Sequence, residues 1–228
     1  RVPANSFVGA RGFADFIADG TNDGANKVNF KLASGGETRK QAAKLLRGRS
    51  FQVSLFTEMA ALRVLDALGL PATSQVINAA GKFLIVAPHT SETVEILESV
   101  RNELDAWFLE QTFGQAGLGL AWEVASCSDF LTSTGAGGQS RFAALRERLV
   151  AQLERAKFRR FDLCRSGGRV FGRADFRRGP CVYNGRLPAD RSDPATCALS
   201  RDQIAIGQAL VDRFERLLII RDDQANQL

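Results

Sequence analysis

Two stretches, Cys181-Val-Tyr-Asn184 and Cys197-Ala-Leu-Ser200, have the outline of paired metal knuckles with half the ligands replaced. A structural zinc takes four sulfur or nitrogen ligands, commonly from two C-x-x-C pairs. Here the second position of each pair is Asn184 or Ser200, and neither side chain is a good zinc ligand. Cys164 could add a third thiolate, but the only histidine, His89, lies far away in sequence. The expectation is a degenerate knuckle (Cys181, Asn184, Cys197, Ser200) without zinc, its two thiols buried or loosely paired. The Gly185 turn and a helix capped at Ser200 would preserve the knuckle's shape.

A second candidate is the tip Ala79-Ala80-Gly81-Lys82 between two short apolar runs, 75–78 and 83–86. It reads as a β-hairpin. Phosphoryl-transfer sites often place carboxylates on such a hairpin to hold Mg²⁺, and this tip has none. Lys82 could meet a phosphate as a point charge, and Gly81 permits close backbone approach; an ordinary turn fits equally. S-G-G-E-T-R-K at 34–40 and R-G-R-S at 47–50 offer glycines with Arg39, Lys40, Arg47 and Arg49, also suited to phosphate. Their spacing does not match a P-loop, and a capped helix start with solvated arginines explains them too. His89 follows the strand-ending Pro88 and has no Ser, Cys or Asp partner set, so hydrolytic catalysis by this segment is not expected.

The elements around these residues alternate. Gln41–Leu46 begins a helical pattern, Gly48 interrupts it, and Ser50 stands as an N-cap for a helix over 51–68. That helix carries Leu55, Met59, Leu62 and Leu65 at helical spacing, with Phe56 alongside, and closes at Gly69 and Pro71. The hairpin follows. Thr90 or Ser91 caps the next helix, with Val94, Leu97, Val100, Leu104, Trp107 and Phe108 on one face, and Leu118–Ala125 reads as a strand. One more strand before residue 34 makes the order βαββαβ, an α+β ferredoxin-like arrangement with an antiparallel sheet and both helices on one face. Residues 1–32 are the least legible. Residues 132–139 read as a linker, and 140–228 as a small, helical, loop-rich, zinc-knuckle-like domain. Its helices carry Phe142, Leu145, Leu149 and Leu153, then, from an S-R-D-Q capping box at Ser200, Ile204, Ala205, Leu210, Val211, Phe214 and Leu217 or Leu218. The expected division is therefore 1–32, 33–131, 132–139 and 140–228.

With 228 residues, 45% of them hydrophobic, the chain can bury one large core or two modest ones. The formal charge of +5 is uneven: residues 141–191 hold fourteen Lys/Arg against five Asp/Glu. Such a basic half suits an anionic partner such as nucleic acid, although a solvated face or a surface docked on an acidic protein has the same composition. No apolar run approaches the roughly 20 residues of a membrane span. Four scattered cysteines are not a disulfide scaffold, so a reducing cytoplasm is expected. The chain opens at Arg1 and is expected to be a segment of a longer protein.

Several stretches together resemble the large subunit of type III-A (Csm) CRISPR effector complexes. They are A-S-G-G-E-T-R-K-Q-A-A-K-L-L-R-G-R-S-F, G-L-P-A-T-S-Q-V-I-N-A-A-G-K-F-L-I-V-A-P and G-L-A-W-E-V-A-S-C-S-D-F, extended by K-F-R-R-F-D-L-C and C-A-L-S-R-D-Q-I-A-I-G. They run in order over residues 33–220. The resemblance implies a first palm and then a small Cys-rich domain of an RNA-guided antiviral ribonucleoprotein activated by target RNA. It implies synthesis of cyclic oligoadenylate from ATP between two palms, a nucleotidyltransferase reaction whose Mg or Mn is held by a G-G-D-D of the second palm. Many members also carry an HD domain that cuts single-stranded DNA. Neither motif occurs in these 228 residues, so no residue here is expected to be catalytic. Arg49, Ser50, Gly81 and Lys82 are the implied nucleotide-side candidates. The implied partners are the small and backbone subunits, crRNA, target RNA and the second palm, with no membrane. The competing reading is a non-enzymatic ferredoxin-like scaffold for RNA or neighbouring subunits. Two departures stand out: the family's D-x-x-G-I-Q-x-F lead strand is not recognisable in 1–32, and C-x-x-N and C-x-x-S replace two C-x-x-C pairs.

Overall fold

A computed structural model describes residues 5–14, 36–79, 81–131, 140–159 and 174–212. The linker at 132–139, Cys164, and Phe214, Leu217 and Leu218 of the last helical pattern lie outside the described residues, as do the side chains of Arg39 and Lys40. The fold is α+β. Strand β1 (Asn5–Ala14) is followed by helix α1 (Gly36–Ala67), strands β2 (Gln75–Ala79) and β3 (Lys82–Pro88), helix α2 (Ser91–Thr112) and strand β4 (Ala116–Ala125). These four strands form one antiparallel sheet in the order β2-β3-β1-β4. The strand the sequence left unplaced is therefore central: β1 pairs with β3 from Asn5↔Pro88 to Arg11↔Lys82, and with β4 from Asn5↔Ala125 to Ala14↔Ala116. Its sequence, N-S-F-V-G-A-R-G-F-A, has two glycines and an arginine in place of a continuous apolar run, which is why pattern reading missed it.

Alternation along the strands divides two cores. Phe83, Ile85 and Ala87 of β3 and Leu118 and Leu120 of β4 pack against Ala60, Ala61, Val64 and Leu65 of α1 and Leu97, Val100 and Phe108 of α2. Both helices thus cover one face, as expected. The opposite face, through Leu84, Val86, Ala121 and Ala125, receives helix α3 (Arg141–Lys157), which contributes Phe142, Leu145, Leu149 and Leu153. The sequence division groups α3 with the cysteine segment, yet its apolar stripe is buried on the sheet. Arg148 pairs with Glu123 of β4 at 3.1 Å alongside that contact.

The phase of α1 differs from the expected stripe. Met59 and Leu62 are exposed, whereas Thr57, Ala60, Ala61 and Val64 are buried. Small residues face the sheet and let the helix sit close to it. Nor does the helix break at Gly48; it is continuous from residue 36 to residue 67. Ser50 is consequently not an N-cap: it is exposed in mid-helix, and its carbonyl accepts from Ser54 Oγ at 3.4 Å.

Helix α2 begins as the sequence predicts. Thr90 has extended backbone and its Oγ1 accepts from the Thr93 N–H at 3.0 Å, satisfying one otherwise orphaned donor of the first turn. Thr90→Ala is expected to lower stability by about 1 kcal/mol, read as a shift of the urea midpoint with unchanged slope. An unchanged midpoint would show that the cap contributes nothing.

Beyond α3, four short strands form two hairpins, β5 (Pro180–Cys181) with β6 (Asn184–Pro188) and β7 (Arg191–Ser192) with β8 (Ala195–Thr196). Helix α4 (Ala198–Ala209) follows, with Cys197 as its N-cap residue. The expected cap at Ser200 is therefore three residues late. Ser200 is fully buried within the first turn, and Gln203 completes no capping box. The expected stripe is also displaced: Leu210 and Val211 are exposed, and the buried face is Ser200, Gln203 and Gly207.

Candidate functional site

Helix α4 lies across α1 at a contact made by two glycines. A Cβ on Gly48 would sit 1.8 Å from the Gln203 carbonyl oxygen, and a Cβ on Gly207 would sit 1.7 Å from that of Lys44. Only glycine admits this approach. It brings the polar residues beside Gly48 into the cysteine segment. Arg49 is buried, its Nε donating to Gln203 Oε1 at 3.0 Å and its Nη2 to the Tyr183 carbonyl at 3.3 Å. Gln203 Nε2 in turn donates to Gln52 Oε1 at 2.9 Å. Arg47 Nε reaches the Gly207 carbonyl at 3.3 Å. Burial lowers the Arg49 guanidinium from its ordinary value, and the nearby sulfurs of Cys181 and Cys197 oppose that shift.

Those sulfurs share one acceptor. Cys181 Sγ donates to Ser200 Oγ at 3.5 Å and Cys197 Sγ does so at 3.2 Å. Both cysteines are free and buried, in a small core with Leu187 against which Phe113, Tyr183 and Leu199 pack. A hydrogen bond from Cys197 pulls the Cys181 thiol below its ordinary value; the same bond, with burial, pushes Cys197 up. The structure thus joins Cys181, Cys197 and Ser200, but not Asn184. The Asn184 side chain donates to Gln115 Oε1 at 2.6 Å and accepts from the Arg186 N–H at 3.2 Å, tying the segment to the start of β4. Two thiols and a hydroxyl do not make a zinc donor set. Among the described residues no group of three or more His, Cys, Asp or Glu side chains could hold a metal.

The hairpin tip is a separate place. Ala79 pairs with Lys82 across the turn, and Gly81 takes a left-handed φ of 72°, the conformation a tight two-residue turn requires. Lys82 is exposed, and its backbone lies beside Arg11 of β1. Asn78, next to the turn, donates to Glu58 of α1. Helix rise alone puts Glu58 about 13 Å from Arg49. The four nucleotide-side candidates accordingly divide: Gly81 and Lys82 stand together at the tip, Ser50 is exposed on α1, and Arg49 is engaged inside the protein. The buried partners Gln52 and Gln203 were not foreseen in these roles. Their one sequence signal was the pair of helical glycines, each of which looks like a helix interruption when read alone.

A family model described as Csm1 subunit domain B matches residues 38–167. A protein of Thermococcus onnurineus (strain NA1), named as a CRISPR system single-strand-specific deoxyribonuclease Cas10/Csm1 (subtype III-A), is 29% identical over 177 residues. That alignment covers 74% of this chain and 22% of the relative. Among solved structures, a Csm1–Csm4 cassette in complex with pppApA superposes with a TM-score of 0.55 at 25% identity, over 71% of this chain and 20% of that one. Csm1 of T. onnurineus superposes with a TM-score of 0.50 at 26% identity, over 69% and 20%. The chain spans about a fifth of the length of the relatives it matches.

Proposed function

Because this chain belongs to the Csm1 family, matched over more than half its length by the model of domain B, we propose that it is the first-palm part of a type III-A CRISPR large subunit. In this reading the sheet order β2-β3-β1-β4, built from βαββαβ, is a ferredoxin-like palm. It supplies the non-catalytic half of an adenine-nucleotide site. The observation that carries the reading is the hairpin tip, where a turn glycine and an exposed lysine stand in place of carboxylates. A solved relative in complex with pppApA supports adenylate chemistry for that relative, and the tip offers this chain a way to take part.

The residues at the tip do not fit a metal ion. The carboxylates that hold Mg or Mn are therefore assigned to a second palm of the same protein, and no step is assigned to this segment through the metal. What this chain supplies is binding: Lys82 places a positive charge on a phosphate, and Gly81 leaves room for it. The segment then works in the cytoplasm within an RNA-guided assembly, beside other Csm subunits, crRNA and target RNA. A Csm4 partner is present in the solved cassette relative.

The test is Lys82→Ala in the full assembly with ATP and target RNA. Losing one charge-assisted hydrogen bond, at about 1.5–3 kcal/mol, is expected to weaken nucleotide use roughly 10- to 100-fold. Thermal stability should not change, because Lys82 is exposed. Unchanged oligoadenylate output and nucleotide affinity would remove Lys82 from the site and favour the non-enzymatic scaffold.

A further inference from the structure

Cys181 ends the short strand β5 and Cys197 is the N-cap residue of α4, so two backbone segments with fifteen residues between them deliver their sulfurs to one point. Both sulfurs lie within hydrogen-bond reach of Ser200 Oγ. Cys197 also forms part of the wall of a cavity of about 700 Å³, bounded by Phe113, Arg177, Arg178, Leu187 and Asp190. Both sulfurs are therefore withdrawn from the surface, with Cys197 next to a space that admits a small polar molecule and Cys181 behind it on Ser200. A buried cation, Arg49, completes the surroundings. Paired thiols, a neighbouring cation and an adjacent cavity form a site for two-electron oxidation.

We propose that Cys181 and Cys197 are a reversible redox modification site that closes to a disulfide when the protein meets hydrogen peroxide. The chemistry balances without a cofactor. The Cys181 sulfur, as thiolate, attacks one peroxide oxygen; the O–O bond breaks, and the departing hydroxide takes the proton Cys181 gave up and leaves as water. Cys181 is then a sulfenic acid. The Cys197 sulfur attacks the Cys181 sulfur, the S–O bond breaks, and the hydroxyl leaves as a second water with the Cys197 proton. Two thiols are oxidised and one peroxide is reduced. The hydrogen bond that lowers the Cys181 thiol favours it as the attacking sulfur, and the Arg49 charge stabilises the thiolate. Reduction by an exogenous thiol reverses the closure.

Peptide mapping of the full chain after hydrogen peroxide treatment and thiol blocking tests this. The expected product is a cross-linked peptide joining Cys181 to Cys197, lost on treatment with dithiothreitol. In Cys197→Ser, oxidation should stop at a Cys181 sulfenic acid that dimedone captures; the wild-type map decides the matter whether or not that variant folds. A disulfide that uses Cys127 or Cys164 instead would overturn the proposal. So would persistence of both free thiols, or one tightly bound zinc equivalent that protects them.

Discussion

Gly48→Ala is expected to destabilise the protein by about 3 kcal/mol, the opposite of what its place in a helix predicts. In an isolated helix, replacing glycine by alanine gains about 1 kcal/mol, because glycine loses more backbone freedom on folding. Here the new methyl would meet the Gln203 carbonyl oxygen at 1.8 Å and its carbon at 2.6 Å. Backbone atoms cannot swing aside, so α4 must move off α1 and take the Arg49 hydrogen bonds with it. Gly207→Ala meets the Lys44 carbonyl in the same way from the other side and should behave alike. For a chain of this size that loss lowers the melting temperature by about 6–12 °C. Gly185→Ala is the control: a methyl there meets nothing within 4 Å, so stability should stay within about 0.5 kcal/mol of wild type. A Gly48→Ala protein as stable as wild type would show that the helices do not cross at this point.

Arg49→Ala carries the second large effect. It removes the Arg49 hydrogen bonds to Gln203 Oε1 and to the Tyr183 carbonyl. The buried Gln203 acceptor so deprived costs about 1–3 kcal/mol, so urea unfolding should show a loss of at least about that size. A stable Arg49→Ala protein with impaired nucleotide binding would restore Arg49 as a ligand-facing residue. Lys82→Ala provides the contrast, since it is expected to alter nucleotide use and leave stability alone.

The two arginine-containing readings show where pattern reasoning stops. R-G-R-S looked like a break and a cap because glycine and serine are the residues helices use to end and begin. A glycine inside a helix also marks where another backbone comes close, and a single sequence does not distinguish the two uses. The displaced stripes of α1 and α4 have the same origin. Periodicity finds large apolar residues, whereas these helices bury Ala60, Ala61, Ser200 and Gly207 and leave Met59, Leu62, Leu210 and Val211 outside.

What the sequence determined by itself was the local order: the alternation of helices and strands after residue 36, the hairpin with its glycine at the turn and the cap at Thr90. Each depends on residues close together in the chain, where propensity, spacing and side-chain chemistry act directly. Only the tertiary structure decided that 5–14 is the central strand, that α3 closes the second face of the sheet, and that Arg49 belongs to the cysteine segment. These outcomes depend on contacts between residues as many as 160 positions apart, Arg47 with Gly207. Such contacts are chosen by how closely whole elements can pack, a property of pairs of surfaces that no local pattern contains.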